Sequence, residues 1–377
     1  MNQKLVLVGG GHSHAIALKQ WGLNPLPNID LTLISDVPET PYSGMLPGHV
    51  AGFYSYGETH IDLRSLARFA GAKLIVDRAI GIDLGHNQVI CQQHQLEFDY
   101  LSFDIGSTPQ TITVPGASEY AIPAKPVPEF LQAWYKLKQS AQSYPAQPLV
   151  IVIVGGGAGG VELALNMQTC LQTIFKTQSQ DLLTIHLIHR GRQLLGGHND
   201  WVSKQLTKTI QQKGIQLHLQ QSVVEVSADQ VICNSGLEIK YDRVFWVTQA
   251  TAPNWLKKSR LATDEPGFIL VNDTLQSISH PQIFAAGDIA TMINYNRPKA
   301  GVFAVRQGQP LFNNWRRILL NQPLQDYIPQ DKYLALIGTG DHSAIASWSN
   351  WGSRSRLFWW LKDYIDRKFM NQFINLD

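Results

Sequence analysis

Cysteine is scarce in this sequence of 377 residues, which contains only Cys91, Cys170 and Cys233. The three lie far apart along the chain, so neither a CxxC nor a CxxxxC pair can be drawn from them. The sequence therefore excludes a dithiol centre or a thiolate metal site built from neighbouring cysteines.

Charge is also sparse. Charged residues make up 16% of the chain and the formal net charge is +2, whereas roughly 25% of an average globular domain is charged. This composition argues against a disordered chain and against a nucleic-acid partner held by charge.

Long hydrophobic runs are missing as well. No apolar stretch reaches the roughly 18 residues that a membrane-spanning helix needs. The first eight residues lead directly into a glycine turn and leave no room for a signal peptide. We expect a cytoplasmic protein that is at most peripheral on the cytoplasmic membrane face.

Two segments combine an apolar strand, a glycine-rich turn and a helical pattern. Residues 5–8 precede Gly9-Gly10-Gly11, and residues 149–154 precede a second turn at 155–160. In such turns backbone N–H groups and a helix N-terminus bind a pyrophosphate. The sequence predicts an α/β fold with two Rossmann-like domains on parallel sheets, followed by a C-terminal α-helical tail.

The second turn fits the dinucleotide motif better than the first. Gly155, Gly157 and Gly160 satisfy GxGxxG, whereas the sixth position of the first copy is His14. A small residue there normally lets the helix pack against the strand. A glycine-rich turn without a nucleotide is the alternative for each copy.

The ends of the next strands carry opposite charges in the two copies. Asp36 stands where a carboxylate normally bonds a ribose hydroxyl, whereas the second copy offers Arg190 and Arg192. These arginines favour tolerance of, or preference for, a 2′-phosphate, unless they are merely solvated. For His12 and His14 we expect solvation or phosphate contact and no metal site, since no third ligand is near.

Three further segments resemble motifs of the pyridine nucleotide–disulfide oxidoreductase superfamily. Residues 285–288 are similar to its last FAD motif, and residues 105–109 and 248–253 are similar to its two crossover motifs. In that family FAD occupies the first fold and NAD(P)H the second, and the aspartate corresponding to Asp288 bonds the ribityl chain.

This resemblance implies four spans and two sets of contacts. The spans are an FAD-binding domain at 1–115 and 256–325, an NAD(P)H-binding domain at 116–255, and a C-terminal interface region at 326–377. The implied FAD contacts are Gly9, Gly11, His12, Ser13, Asp36, Ala79, Ile80, Ser107, Gly287, Asp288, Lys299 and Gly301. The implied NAD(P)H contacts are Gly155, Gly157, Gly160, Glu162 and Arg190.

Cysteine again discriminates within the superfamily. The disulfide reductases carry CxxxxC where this chain reads TPYSGMLPG at residues 40–48. The sequence is similar to type II NADH:quinone dehydrogenases, which share Gly160-Val161-Glu162. That resemblance implies that Glu162 orients the nicotinamide and that Pro47 lies along the flavin ring. Sulfide:quinone oxidoreductases need a cysteine pair, so sulfide oxidation is disfavoured.

A second resemblance concerns partners and the electron acceptor. Residues 9–14, 40–48, 60–63, 298–308 and 362–370 resemble the NADH dehydrogenase-like flavoprotein module that is fused to selenophosphate synthase. A separate selenophosphate synthase module is therefore a candidate partner, and a slow or non-catalytic regulatory module is the alternative to an enzyme.

The residues at the predicted acceptor helix depart from the quinone-reducing pattern. Val302 and Arg306 replace the two glutamines that type II dehydrogenases place facing the quinone. This departure weakens the quinone prediction and leaves other small acceptors open.

The C-terminal segment is rich in aromatic residues, with four of the ten tryptophans in the last 30 residues. Phe358, Leu361, Ile365, Phe369 and Phe373 recur at the spacing of one helical face, with Lys and Arg nearby. This pattern suits a helix lying in a bilayer interface. The alternative is a helix that docks on the body of the protein or on a second copy in a homodimer.

The arginine prediction can be tested by substitution. Arg190→Ala should weaken the binding of NADPH much more than that of NADH, because only NADPH carries the 2′-phosphate. Titration of each nucleotide gives the two affinities. Equal losses would rule out the 2′-phosphate role.

Overall fold

A computed structural model describes residues 2–109, 114–175, 182–248 and 250–376. The elements up to residue 109 are β1 (Gln3–Val8), α1 (His12–Leu23), β2 (Ile29–Ser35), β3 (Glu39–Pro41), α2 (Leu46–Ala51), α3 (Tyr56–Thr59), β4 (His60–Asp62), α4 (Leu63–Phe69), β5 (Lys73–Val76), β6 (Ala79–Asp83), β7 (Gln88–Cys91), β8 (Gln95–Glu97), β9 (Tyr100–Phe103) and β10 (Thr108–Pro109).

The middle of the chain contains α5 (Ala117–Tyr120), β11 (Ala121–Pro123), α6 (Val127–Ser143), β12 (Leu149–Val154), α7 (Ala158–Phe175), β13 (Leu183–His189), α8 (Asp200–Gln212), β14 (Gln216–Leu219), β15 (Val223–Val226), β16 (Gln230–Cys233), β17 (Glu238–Lys240), β18 (Arg243–Trp246) and β19 (Ala250–Thr251).

The last part contains α9 (Asn254–Lys258), β20 (Ile269–Val271), β21 (Ile283–Ala285), a 3-10 turn (Gly287–Ile289), β22 (Ala290–Met292), α10 (Gly301–Leu319), β23 (Ala335–Gly338), β24 (Ala344–Trp348), β25 (Trp351–Ser355), α11 (Arg356–Met370) and a final 3-10 turn (Asn371–Phe373).

Two five-stranded parallel sheets form the framework, as the sequence predicts. The first sheet has the order β21-β9-β1-β2-β5 and the second has the order β11-β18-β12-β13-β14. Their central strands are continuous apolar runs because helices cover both faces of a parallel sheet. The glycine turns lie at the carboxyl ends of β1 and β12, where open α/β sheets bind ligands.

The chain leaves the first sheet and later returns to it. β21 adds to the edge of that sheet by pairing with β9. Between these strands the chain builds the second sheet, and the antiparallel pair β10–β19 links the two crossovers. Of the second predicted crossover, Gln249 lies outside the described residues.

Helix α10 packs closely along α1, and a glycine makes this approach possible. A Cβ atom added at Gly308 would lie 2.6 Å from the Cβ of Ile16, closer than side chains approach in folded proteins. The N-termini of the two helices consequently lie side by side.

The C-terminal region differs from the predicted helical tail. An antiparallel sheet of β23, β24 and β25 precedes α11. The predicted helix is confirmed, but the prediction that its apolar residues share one environment is wrong. Phe369 and Phe373 are buried, whereas Leu361 and Ile365 are exposed. The inner side of α11 instead carries the ion pair between Lys362 and Asp366, so some of the apolar side chains lie on its outer side.

None of the helices in the described part of the chain is both long enough and apolar enough to cross a bilayer.

Candidate functional site

The first glycine turn is held against the residue that follows β9. Gly9 has a φ of +97°, and a Cβ added there would lie 2.3 Å from the carbonyl oxygen of Asp104. A Cβ at Gly11 would lie 2.3 Å from the Asp104 carboxyl group. Only glycine fits at both positions, and the turn leads directly into the N-terminus of α1.

His14 fills the space that a small residue occupies in the standard motif. Its side chain is fully buried, with Nδ1 2.7 Å from the Gly9 carbonyl oxygen and Nε2 2.9 Å from Ser102 Oγ. Burial lowers the pKa of His14 to about 4. The predicted solvation or phosphate contact is therefore wrong for His14, because the neutral ring is used to join the turn to β9.

His12 lies where the first turn meets α10 and α11. Its ring centroid is 5.1 Å from that of Tyr42 and 5.8 Å from that of Phe369. Burial lowers the pKa of His12, so the ring is neutral near pH 7. A Cβ at Gly301 would lie 4.0 Å from His12 Nδ1, which places the N-terminus of α10 beside that of α1.

Asp288 is the centre of a polar cluster beside the first turn. Ser107 Oγ donates to Asp288 Oδ2 at 3.2 Å and Lys125 Nζ donates to the same oxygen at 2.8 Å. Burial alone would raise the pKa of Asp288, but Lys125 and Ser107 outweigh burial and lower it. The sequence reasoning missed Lys125, which comes from the connection between β11 and α6.

A cavity of about 230 Å³ lies against this cluster. Gly287, Asp288, Lys299 and Ala300 contribute to its walls. Lys299 Nζ donates to Thr291 Oγ1 at 2.9 Å, and burial lowers the pKa of Lys299 to about 8. The structure therefore brings the predicted contacts Gly287, Asp288 and Lys299 together around one space.

Asp36, Ala79 and Ile80 lie near the carboxyl end of β2. The backbone bond from Asp77 N to Ser35 O brings the start of β6 beside the end of β2. Arg78, which the sequence reasoning missed, pairs with Asp36 at 3.4 Å. Ile80 is 45% exposed, which leaves an apolar surface beside the Asp36 carboxylate.

The three glycines of the second turn meet three different demands. Gly155 has a φ of +129°, Gly160 would place a Cβ 1.9 Å from the Gly155 oxygen, and a Cβ at Gly157 would meet nothing within 4 Å. These are the tight turn, the close helix packing and the open approach that a pyrophosphate requires. Arg190 is exposed at the end of β13. His189, which the sequence reasoning also missed, accepts a hydrogen bond at Nδ1 from Gly156 N, with a distance of 3.2 Å.

Pro47 and Glu162 line the same narrow cleft between the two nucleotide folds, which has a free volume of about 10 Å³ and has Phe53 and Trp359 at its walls. Gly338 N donates to Glu162 Oε1 at 2.8 Å. Burial raises the pKa of Glu162, and the nearby Lys362 opposes this effect without cancelling it.

The inner side of α11 closes this cleft with a buried ion pair. Lys362 Nζ donates to Asp366 Oδ2 at 2.7 Å and to Gly44 O at 2.6 Å. Tyr42 OH donates to Asp366 Oδ1 at 3.0 Å. Burial would lower the pKa of Lys362, but Asp366 and Glu162 raise it, so the side chain is charged. The sequence reasoning gave neither Lys362 nor Asp366 a role.

The cysteines lie away from both the cavity and the cleft. Cys91, Cys170 and Cys233 are free and buried in three different elements. Burial raises the pKa of all three thiols, that of Cys91 to about 11. None of them is suited to exchange with a substrate near the cleft.

Comparison with known proteins agrees with this geometry. Residues 3–308 match the family described as "Pyridine nucleotide-disulphide oxidoreductase". A "Probable NADH dehydrogenase" from Dictyostelium discoideum is 25% identical over 91% of this chain and 80% of its own length. A "Type II NADH:quinone oxidoreductase" from Haemophilus influenzae is 24% identical over 68% of this chain and 64% of its own length.

Among solved structures, NDH2 from Plasmodium falciparum in complex with NADH superposes with a TM-score of 0.85. The match covers 99% of this chain and 98% of that protein at 16% sequence identity. At this identity the similarity establishes the shared fold.

The buried state of His14 predicts a specific dependence of stability on pH. The unfolded imidazole binds a proton below about pH 6.5, whereas the folded one does so only near pH 4, so protonation destabilises the native state between these values. His14→Asn should lower the free energy of unfolding at pH 7 by about 1–3 kcal/mol. Its deficit relative to wild type should shrink by about 2 kcal/mol at pH 5.

Urea denaturation at the two pH values measures this difference. The control is His86→Asn, whose side chain is 77% exposed and whose effect should be small at both. A deficit for His14→Asn that is the same at pH 7 and pH 5 would contradict a neutral buried ring.

Proposed function

Because the chain belongs to the pyridine nucleotide-disulphide oxidoreductase family, we propose that it is an FAD-dependent NAD(P)H dehydrogenase that reduces a quinone or other small acceptor without a redox disulfide. The observation that carries the proposal is that Pro47 and Glu162, from the two nucleotide folds, line one cleft. The three cysteines lie elsewhere, so no sulfur relay operates there.

The first fold fits FAD on three observations. The turn at Gly9 and Gly11 tolerates no side chain, the N-termini of α1 and α10 adjoin, and a cavity lies against Asp288 and Lys299. The turn would hold the pyrophosphate and Asp288 the ribityl hydroxyls. Asp36 would bond the adenosine ribose, with Ala79 and Ile80 against the adenine.

The second fold fits NAD(P)H. The open space at Gly157 would admit the nicotinamide dinucleotide pyrophosphate at the N-terminus of α7. Arg190 would contact the adenosine ribose or its phosphate, and Glu162 would bond the nicotinamide amide.

Bound FAD would supply two-electron chemistry by accepting a hydride from the reduced nicotinamide. The chain's own residues position the reactants and control charge. The N-terminus of α10 adjoins the cavity and stabilises negative charge there by about 0.3–2 kcal/mol. Pro47 and Trp359 place apolar side chains along the cleft, and the hydrogen bond from Gly338 N orients the carboxylate of Glu162.

Quinone is the first candidate acceptor, since the Haemophilus influenzae relative is a type II NADH:quinone oxidoreductase. Val302, on the first turn of α10, is half-buried and offers no hydrogen bond, whereas Arg306 is exposed. A quinone carbonyl would have to use other donors here. Oxygen and small soluble oxidants are therefore the competing acceptors.

The outer face of α11 supports contact with a membrane surface. Leu357, Trp360, Leu361, Tyr364 and Ile365 follow helical spacing and are all exposed. Lys368 lies beside the Tyr364 ring, so a cation borders the apolar surface. This composition suits insertion into the headgroup region, and it would place the protein where a lipid-soluble acceptor is dissolved.

Anaerobic rapid mixing tests the dehydrogenase activity. The flavin absorbance of the holoprotein should bleach with NADH or NADPH. Glu162→Gln should slow bleaching about tenfold, equivalent to about 1.4 kcal/mol for a weakened hydrogen bond. The control is the exposed Glu238→Gln, which should bleach like wild type.

The other outcomes distinguish the alternatives. A yellow protein that neither bleaches nor binds nicotinamide would favour a regulatory module, for which a selenophosphate synthase remains the predicted partner. Turnover with short-chain quinones under argon would separate a quinone reductase from an NAD(P)H oxidase.

Sedimentation with anionic phospholipid vesicles tests the membrane surface. Trp360→Ser should lower vesicle binding about tenfold or more, because burial of a large apolar side chain contributes about 1.5–3 kcal/mol. The control is Tyr144→Ser, which removes a ring that is 60% exposed on a different surface. Unchanged binding together with a concentration-dependent dimer would show that the outer face of α11 contacts a second copy instead.

A further inference from the structure

Asp104 lies between the first glycine turn, at Gly9 and Gly11, and the 3-10 turn that begins at Gly287. It is 3% exposed, and its carbonyl oxygen accepts from Gly11 N at 3.0 Å. Its carboxyl group faces both turns, because a Cβ at Gly11 or at Gly287 would lie 2.3 Å from Asp104 Oδ1. The carboxyl is thus packed directly behind the turn that is proposed to hold the FAD pyrophosphate.

The hydrogen bonds to the Asp104 carboxyl group come from the N-terminus of α1, the helix that follows the first glycine turn. His14 N, in the first turn of α1, donates to Asp104 Oδ2 at 3.0 Å, and Ser13 also donates to the carboxyl group. These backbone N–H groups belong to the helix end that attracts anions in dinucleotide folds. A carboxylate and a pyrophosphate would therefore share one positive helix end.

No described cation compensates the charge of Asp104. From α1 it is approached by His14, whose neutral ring is turned toward Gly9 and Ser102. From the 3-10 turn it is approached by Asp288, a like charge. Lys125, which lies in the same region, pairs with Asp288. From α10 the neighbours at Gly287 are the uncharged Ala304 and Gln307.

We propose that Asp104 must be a neutral carboxylic acid when FAD is bound, so that FAD binding takes up one proton from solvent at alkaline pH. The inference rests on the proposed function, namely that FAD occupies the first fold. In the proton balance, the carboxylate and one solvent proton give the acid, and no covalent bond to FAD forms. Asp104 is a positioning residue, since it acts through the turn that it supports.

The charge surroundings give the direction of the effect. Burial, together with a smaller contribution from Asp288, raises the pKa of the Asp104 carboxyl to about 7, against the lowering effect of the hydrogen bonds from His14 and Ser13. The two negative charges of a pyrophosphate would add to this shift. Below about pH 7 the acid is already present and the FAD affinity is constant. Above that value the affinity should fall up to about tenfold per pH unit, because the proton must be supplied from solvent.

Titration of the FAD-depleted full-length chain with FAD tests the proposal by calorimetry. Measurement at pH 8 in two buffers with different ionisation enthalpies gives the number of protons taken up. Wild type should take up about one more proton than Asp104→Asn, in which the amide is neutral and keeps an oxygen acceptor for His14 N. Asp104→Asn should also bind FAD at pH 8 more tightly than wild type does.

A second variant assigns the proton. His86→Asn should keep the uptake, because the His86 side chain is 77% exposed and takes no part in the proposed FAD site. Equal uptake by wild type and Asp104→Asn, or a loss of uptake in His86→Asn as large as that in Asp104→Asn, would overturn the inference while leaving FAD binding intact.

The wild-type protein alone provides an independent check if Asp104→Asn does not fold. A dissociation constant for FAD that is flat from pH 6 to pH 9, measured by quenching of flavin fluorescence, would overturn the proposal. Absence of FAD binding at every pH would overturn the proposed function and this inference together.

Discussion

The pairing of β21 with β9 is the contact on which the rest of the site depends. Ile283, Phe284 and Ala285 lie in parallel register with Leu101, Ser102 and Phe103. This register carries the following Gly287-Asp288 to the edge where the first glycine turn ends, although almost 280 residues separate the two turns in sequence. A shift of one residue would turn the strand's side chains to the opposite face and move Asp288 away from Ser107 and Lys125.

Much of this arrangement could be predicted from the sequence, because the signals are local. The strands β1 and β12 end in apolar runs, and each is followed by a glycine turn and a helix. The glycines at 155, 157 and 160 occupy fixed offsets that correspond to separate steric demands. The replacement of the motif's small residue by His14 could also be detected from the sequence. The way in which the buried ring is bonded could not, because its partner Ser102 lies in a strand 88 positions away.

The residues that sequence reasoning missed share one property: their partners are remote in sequence. Lys125 pairs with Asp288, and Lys362 approaches Glu162 from the far end of the chain. A lysine has no local signature for such a role. The same limit explains α11, where helical spacing correctly gave a helix but could not show which side faces the body of the protein.

Helix α11 reverses the usual distribution of residue types. Its inner side buries the Lys362–Asp366 ion pair beside Tyr42, whereas its outer side exposes Trp360 and Tyr364. Burying an ion pair contributes little net stability, but removing one partner leaves a costly buried charge. The pair therefore fixes the orientation of the helix and keeps its aromatic side chains directed outward.

The Lys125–Asp288 contact has a consequence for the mechanics of the whole molecule. Lys125 lies in the connection from β11, in the second sheet, to α6, whereas Asp288 lies in the 3-10 turn that follows β21 of the first sheet. The ion pair thus joins this connection to a residue in the wall of the cavity. A ligand that contacts Asp288 in the cavity would therefore also act, through Lys125, on the segment at residues 124–126 that leads out of the second sheet.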